Sequence, residues 1–98
     1  MTQAKVVYQR ECRNRIRVAA AAYAYEVEND PIMSDAEYDA LAKSIRPSLH
    51  TGEPELDAFF ARVFSPDTGI WVHHHPDKDG LRRVADIIRR ANGTRRKR

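Results

Sequence analysis

Cys12 is the only cysteine in 98 residues, which excludes an internal disulfide and any cysteine-based zinc cluster. A chain with so little thiol is expected in a reducing cytoplasm. Long apolar runs are also missing. The alanine-rich segment at residues 18–25 is short and continues into acids, so neither a membrane span nor a signal-peptide core is expected. No internal repeat or low-complexity linker is visible. A chain of this length forms one domain that buries about two thirds of its unfolded surface, and we expect a single helical domain over residues 1–93 followed by a basic tail at 94–98.

The formal net charge of +3 conceals an asymmetry. Glu26, Glu28, Asp30, Asp35, Glu37 and Asp39 form an acidic stretch with no base among them, whereas Arg82, Arg83, Arg89, Arg90, Arg95, Arg96, Lys97 and Arg98 crowd the end. Two opposite surfaces are expected.

Four stretches of the hydrophobic pattern have helical period. Cys12, Ile16, Ala19, Ala20, Tyr23 and Val27 recur at intervals of three and four, predicting a helix over about 4–28 with those residues inward and Arg10, Arg13, Asn14 and Arg17 solvated. Tyr25 points away from that stripe. Asn29-Asp30-Pro31 ends the helix, because the residue before proline is pushed out of the α region. Ser34-Asp35-Ala36-Glu37 fits a capping box, with Met33 and Tyr38 as a hydrophobic staple, and Pro47 closes the second helix. Leu56, Phe59, Phe60, Val63 and Phe64 form a third stripe over about 53–64, with Pro54 suited to the first turn. Ile70-Trp71-Val72 reads as a short extended segment. Leu81, Val84, Ala85 and Ile88 mark a last helix over about 77–92, ended by Asn92-Gly93. The expected fold class is all-α, a compact domain of about four helices.

Asp35 and Asp39 stand one turn apart on one face, where like charges weaken a helix by about 0.2–0.5 kcal/mol. The pairing suggests a hydroxyl-rich or cationic ligand. Tyr25, Pro31, Asp35, Glu37, Tyr38, Asp39 and Leu41 together match the pattern Tyr-(Tyr or His)-x-x-Asp-x-Pro-x-x-x-Asp-x-Glu-Tyr-Asp-x-Leu. That stretch, about residues 12–46, resembles the N-terminal domain Ia of bacterial NAD-dependent DNA ligases. Glu26 and Asn29 depart from the pattern. The resemblance implies a helical hairpin that holds the nicotinamide mononucleotide half of NAD. Tyr25 would stack on the base, Asp35 and Asp39 would hold ribose hydroxyls, and Tyr38 would support the pocket. Arg13 and Arg17 are the nearest bases in sequence for the phosphate.

Ligase chemistry itself is not expected. The chain is too short for a nucleotidyltransferase domain, and Lys78-Asp79-Gly80 is one residue short of the Lys-x-Asp-Gly adenylation motif. Free-standing pieces of this kind look like products of bacteriophage genomes, which implies a non-catalytic accessory protein in the host cytoplasm. It would bind nicotinamide mononucleotide or NAD weakly, or attach to a host protein of NAD or DNA metabolism.

A competing reading is a helical interaction protein whose basic end, from Arg82 to Arg98, contacts nucleic acid without sequence readout or an acidic protein partner. A solvated helix with a solubilising tail explains the same charges. A third reading, an enzyme that cleaves NAD, has the least support. His73 and His75 on a strand would face one side and, with Asp77 or Asp79, could hold a metal; capping of the following helix, exposure or packing beside Trp71 is the favoured account, and no metal is expected.

Overall fold

The computed structural model describes residues 3–95. Its elements are α1 (Gln3–Glu26), α2 (Asp35–Ser44), α3 (Pro54–Arg62), a 3-10 turn (Ile70–His74) and α4 (Lys78–Arg95). The fold is all-α and compact, with four α-helices and no strand among the described residues.

α1 is the central element, and its burial departs from the single stripe expected. Ile16 and Val27 are 46% and 44% exposed, while Val18, Ala19, Ala20, Ala21, Ala22 and Ala24 are all buried. The second half of α1 is therefore enclosed on several sides at once. Alanine permits this, because it is the best helix former and lets neighbouring elements approach closely. One side packs against Phe59, Phe60, Trp71 and Leu81, the other against Ile32 and Ala85.

The first half of α1 buries a polar pair instead. Glu11 and Arg15 are only 4% and 3% exposed. Arg15 donates from Nε to Glu11 Oε2 at 2.8 Å and from Nη1 to Asp57 Oδ1 at 2.7 Å. Its Nη2 donates to the carbonyls of Arg46 and Leu49 at 2.8 and 3.1 Å. Glu11 also accepts the Arg46 N–H at 2.9 Å, and Asp57 accepts the N–H and hydroxyl of Thr51. The guanidinium lies 5.0 Å from the Phe60 ring centroid. A buried ion pair tolerates its desolvation only when its remaining donors and acceptors are satisfied, and this one is. It fastens the loop between α2 and α3 to α1.

α2 starts as expected. The Ser34 hydroxyl accepts the Glu37 N–H at 3.1 Å, and Glu37 accepts the Ser34 N–H at 2.8 Å. Pro54 occupies the first turn of α3. The segment expected to be extended forms the 3-10 turn instead, which inserts Trp71 among Phe59, Phe60 and Phe64 at centroid distances of 6.0, 5.7 and 4.9 Å. A strand has no partner in this helical fold, and one tight turn hides both Trp71 and Val72. Lys78-Asp79-Gly80 is the first turn of α4, where Asp77 accepts the Gly80 N–H at 3.0 Å. Asn92-Gly93 does not end α4, which continues to Arg95; the Asn92 side chain instead donates to the Ile32 carbonyl at 3.4 Å.

Replacing Arg15 by methionine leaves Glu11 and Asp57 without their cation, and the unfolding free energy measured by urea denaturation is expected to fall by about 3–5 kcal/mol. The same change at exposed Arg13 is expected to cost less than about 0.5 kcal/mol. Equal effects at the two sites would contradict the role assigned to Arg15.

Candidate functional site

The ends of α1 and α2 and the loop before the 3-10 turn enclose a cleft of about 330 Å³. α1 contributes Ala21, Ala22, Tyr25 and Glu26; α2 contributes Asp35, Tyr38 and Asp39; Pro31 and Met33 form one edge, and Asp67, Thr68 and Gly69 another. Tyr25, Asp35, Tyr38 and Asp39 thus line the same space.

Each side chain has a local reason for its place. Tyr25 is 57% exposed because its direction on α1 misses both packed clusters. Asp35 opens α2 and favours the positive end of the helix dipole, whereas Asp39, one turn later, gains little from it. Tyr38 is half-buried, and its hydroxyl donates to the Thr68 carbonyl at 3.2 Å. The same carbonyl accepts Trp71 Nε1–H at 2.8 Å, so one oxygen ties α2 to the aromatic core. Burial pushes the Tyr38 phenol above its ordinary value, with the Glu26 and Asp39 carboxylates adding to the effect. Tyr38 is therefore a neutral supporting wall.

Glu26 faces into the cleft, with a carboxylate oxygen 4.0 Å from His73 Nε2. The lining then holds four carboxylates, from Glu26, Asp35, Asp39 and Asp67, and no lysine or arginine. Arg17 lies on the far side of the 31–33 segment, in a separate depression with Asn14, Met33 and Glu37, where its charge helps hold the Glu37 carboxyl below its usual value, after the capping contacts of Ser34. Neither Arg13 nor Arg17 lines the cleft, because both project from earlier turns of α1.

The chain between α1 and α2 is fixed by α4. Asn29 adopts φ +53°, a left-handed conformation that asparagine tolerates, and the Asp30 N–H returns to the Ala24 carbonyl at 2.8 Å. Arg89 then clamps the segment. It pairs with Glu28, with Asp86 at 2.9 Å and with the Asp30 carboxylate at 2.8 Å, and donates to the Asp30 carbonyl at 3.0 Å. Hydrogen bonding to Glu28 outweighs the opposing effect of burial and raises the guanidinium pKa further. Arg89, expected among the outward bases, is thus a structural tie. Arg82 lies 3.7 Å from Asp79, and Arg82, Arg83 and Arg90 are exposed. Arg95 lies in the last turn of α4, and Arg96, Lys97 and Arg98 lie outside the described residues.

The histidines part company because the 3-10 turn replaces a strand. His73 is exposed beside Glu26, whereas His75 is buried edge-on against Phe59 at 5.2 Å between centroids, with Nδ1 accepting the Asp77 N–H at 3.0 Å. No group of three or more potential metal ligands converges among the described residues. No described helix is long and apolar enough to cross a membrane.

Comparison of the chain with protein-family models, curated proteins and solved structures found no match.

Burial holds the His75 imidazole below its ordinary value of 6.5, against the opposing charge of Asp77. A depressed histidine pKa means that the unfolded chain takes up the proton first, so stability is full above about 6.5 and falls with pH through the folded value. Thermal melts are expected to show this decline between about pH 7 and 5, and a His75→Phe variant is expected to show a shallower one. An unchanged slope in the variant would remove His75 as its source.

Proposed function

We propose that the cleft between α1 and α2 is a weak half-site for a nicotinamide nucleoside, in a non-catalytic accessory module related to ligase domain Ia. The observation that carries this reading is the convergence of Tyr25 with Asp35, Tyr38 and Asp39, from two helices, on one solvent-open space. Tyr25 offers a ring for stacking on the nicotinamide. Asp35 and Asp39 offer acceptors for ribose hydroxyls, and a protonated Tyr38 supports them from behind.

Glu26 and Asp67 sharpen the reading. The oxidised nicotinamide ring carries a positive charge that four nearby carboxylates favour, while a phosphate is repelled by the same groups. The nucleoside therefore sits inward with its phosphate directed to solvent. A cleft open on one side encloses little of its ligand, so affinity is expected in the high micromolar to millimolar range, about −4 to −6 kcal/mol. Attachment to a host protein that closes the open side is consistent with such weak binding.

Titration with nicotinamide mononucleotide, followed by amide chemical shifts, is expected to give saturable changes centred on Tyr25, Asp35 and Asp39. Tyr25→Ala should abolish them. Glu26→His, which removes one of the four carboxylates, should shift the preference from nicotinamide riboside toward nicotinamide mononucleotide by about threefold to tenfold, corresponding to roughly 0.7–1.4 kcal/mol. Absence of shifts at these residues at about 10 mM ligand would exclude even the weakest binding expected here.

A further inference from the structure

A second charged surface lies on the first half of α1, where the sequence pattern marks only solvated residues. Between residues 5 and 24 the sole acid is Glu11, and it is buried and neutralised by Arg15. Every exposed charge on this stretch is consequently positive: Lys5, Arg10, Arg13 and Arg17. Arg10, Arg13 and Arg17 fall at i, i+3 and i+7, on one face of the helix, and span about 10.5 Å along its axis.

α4 extends that face. Arg17 and Ile87 border the same surface depression, and Arg83 lies one turn before Ile87 on the outward side of α4. Arg10, Arg13 and Arg83 form no ion pair with any described residue. The array is made of guanidinium groups, which pair with phosphate oxygens through two parallel hydrogen bonds. Double-stranded DNA presents one charge per about 1.7 Å of axis, so a stripe of this length meets several phosphates at once. A lipid surface would need a broad apolar face beside the bases. The exposed apolar side chains nearby are Val6, one turn before Arg10 on the same face, with Tyr8 and Ile16 on other sides of α1 and Ile87 on α4, and they form no such face.

We propose that Arg10, Arg13 and Arg17 of α1, continued by Arg83 of α4, form a binding surface for the phosphate backbone of duplex nucleic acid. Recognition is electrostatic and without base readout. The face is independent of the nucleoside cleft, because Arg10 and Glu26 are separated by about 24 Å of helix. Nucleotide and duplex are therefore expected to bind without competing.

The test is fluorescence anisotropy of a labelled duplex of about 20 base pairs with the full chain over about 50–200 mM salt. Neutralisation of four phosphates predicts a slope of log K against log salt near −3.6, roughly 0.9 per contact. Each of Arg10→Gln, Arg13→Gln and Arg17→Gln should lower its magnitude by about one, Arg13→Lys should preserve it, and the triple variant should lose most binding at equal thermal stability. A variant with glutamine at Arg95, Arg96, Lys97 and Arg98 should retain the dependence on α1. Four results would each overturn the proposal: no binding at the lowest salt, undiminished binding by the triple variant, binding that requires only the last four residues, or preference for phosphatidylserine vesicles or polyglutamate over the duplex. If the triple variant is destabilised, the single variants decide through their slopes.

Discussion

The buried Arg15 guanidinium fastens the loop between α2 and α3 to α1 and so sets where α3 lies. It sits where a small domain would ordinarily place an aliphatic side chain, and its neighbours satisfy it so fully that the charge becomes a fastening point. Glu11 and Asp57 supply countercharge, and the carbonyls of Arg46 and Leu49 bind the intervening loop. Burial alone raises the Asp57 pKa, but hydrogen bonds from Thr51 and Arg15 outweigh it and hold the carboxyl below its ordinary value. That contribution to stability is present above the ordinary carboxylate range and is lost as pH falls through the lower folded value. With the loop fixed, α3 presents Phe59 and Phe60 to Trp71, and the 3-10 turn that carries Trp71 supplies the Thr68 carbonyl that Tyr38 needs. The wall of the cleft thus traces back to a buried cation on a different part of α1.

Charge along α1 runs against its dipole. Exposed bases occupy the half where the helix end is positive, and Glu26, Glu28 and Asp30 gather where it is negative. Helix stability alone would favour the reverse. The fold compensates locally through Arg89, which answers Glu28 and Asp30. Asp35 and Asp39 remain exposed across from this end. The molecule therefore carries an acidic end and a basic flank.

How far the sequence reveals this depends on the range of the interactions involved. The start of α2 is legible because its capping box and flanking proline act within four residues. The class of fold follows from the helical period of four apolar segments, with only Ile70-Trp71-Val72 outside it. α1 is misread in detail because periodicity assumes apolar residues face inward, while Glu11 and Arg15 satisfy each other inside. Their spacing of four, on the face that continues through Val18 and Ala22, was the available signal. The histidine segment and the end of α4 are decided by contacts with Phe59 and Ile32, distant in sequence. Tyr25, Asp35, Tyr38 and Asp39 are legible as a group because they lie within fifteen residues of one hairpin. Asp67 and Thr68 come from a loop that no local pattern connects to that hairpin, and Glu26, at the end of α1, lines the cleft beside His73 of the 3-10 turn.

In the proposed function, four carboxylates and one exposed phenol make this cleft selective for a cationic nucleoside. The most direct measurement compares dissociation constants for nicotinamide riboside and nicotinamide mononucleotide at low ionic strength. Tighter binding of the riboside, with the difference shrinking as salt is added, is the expected result. Equal affinities, or preference for the phosphorylated form, would contradict it.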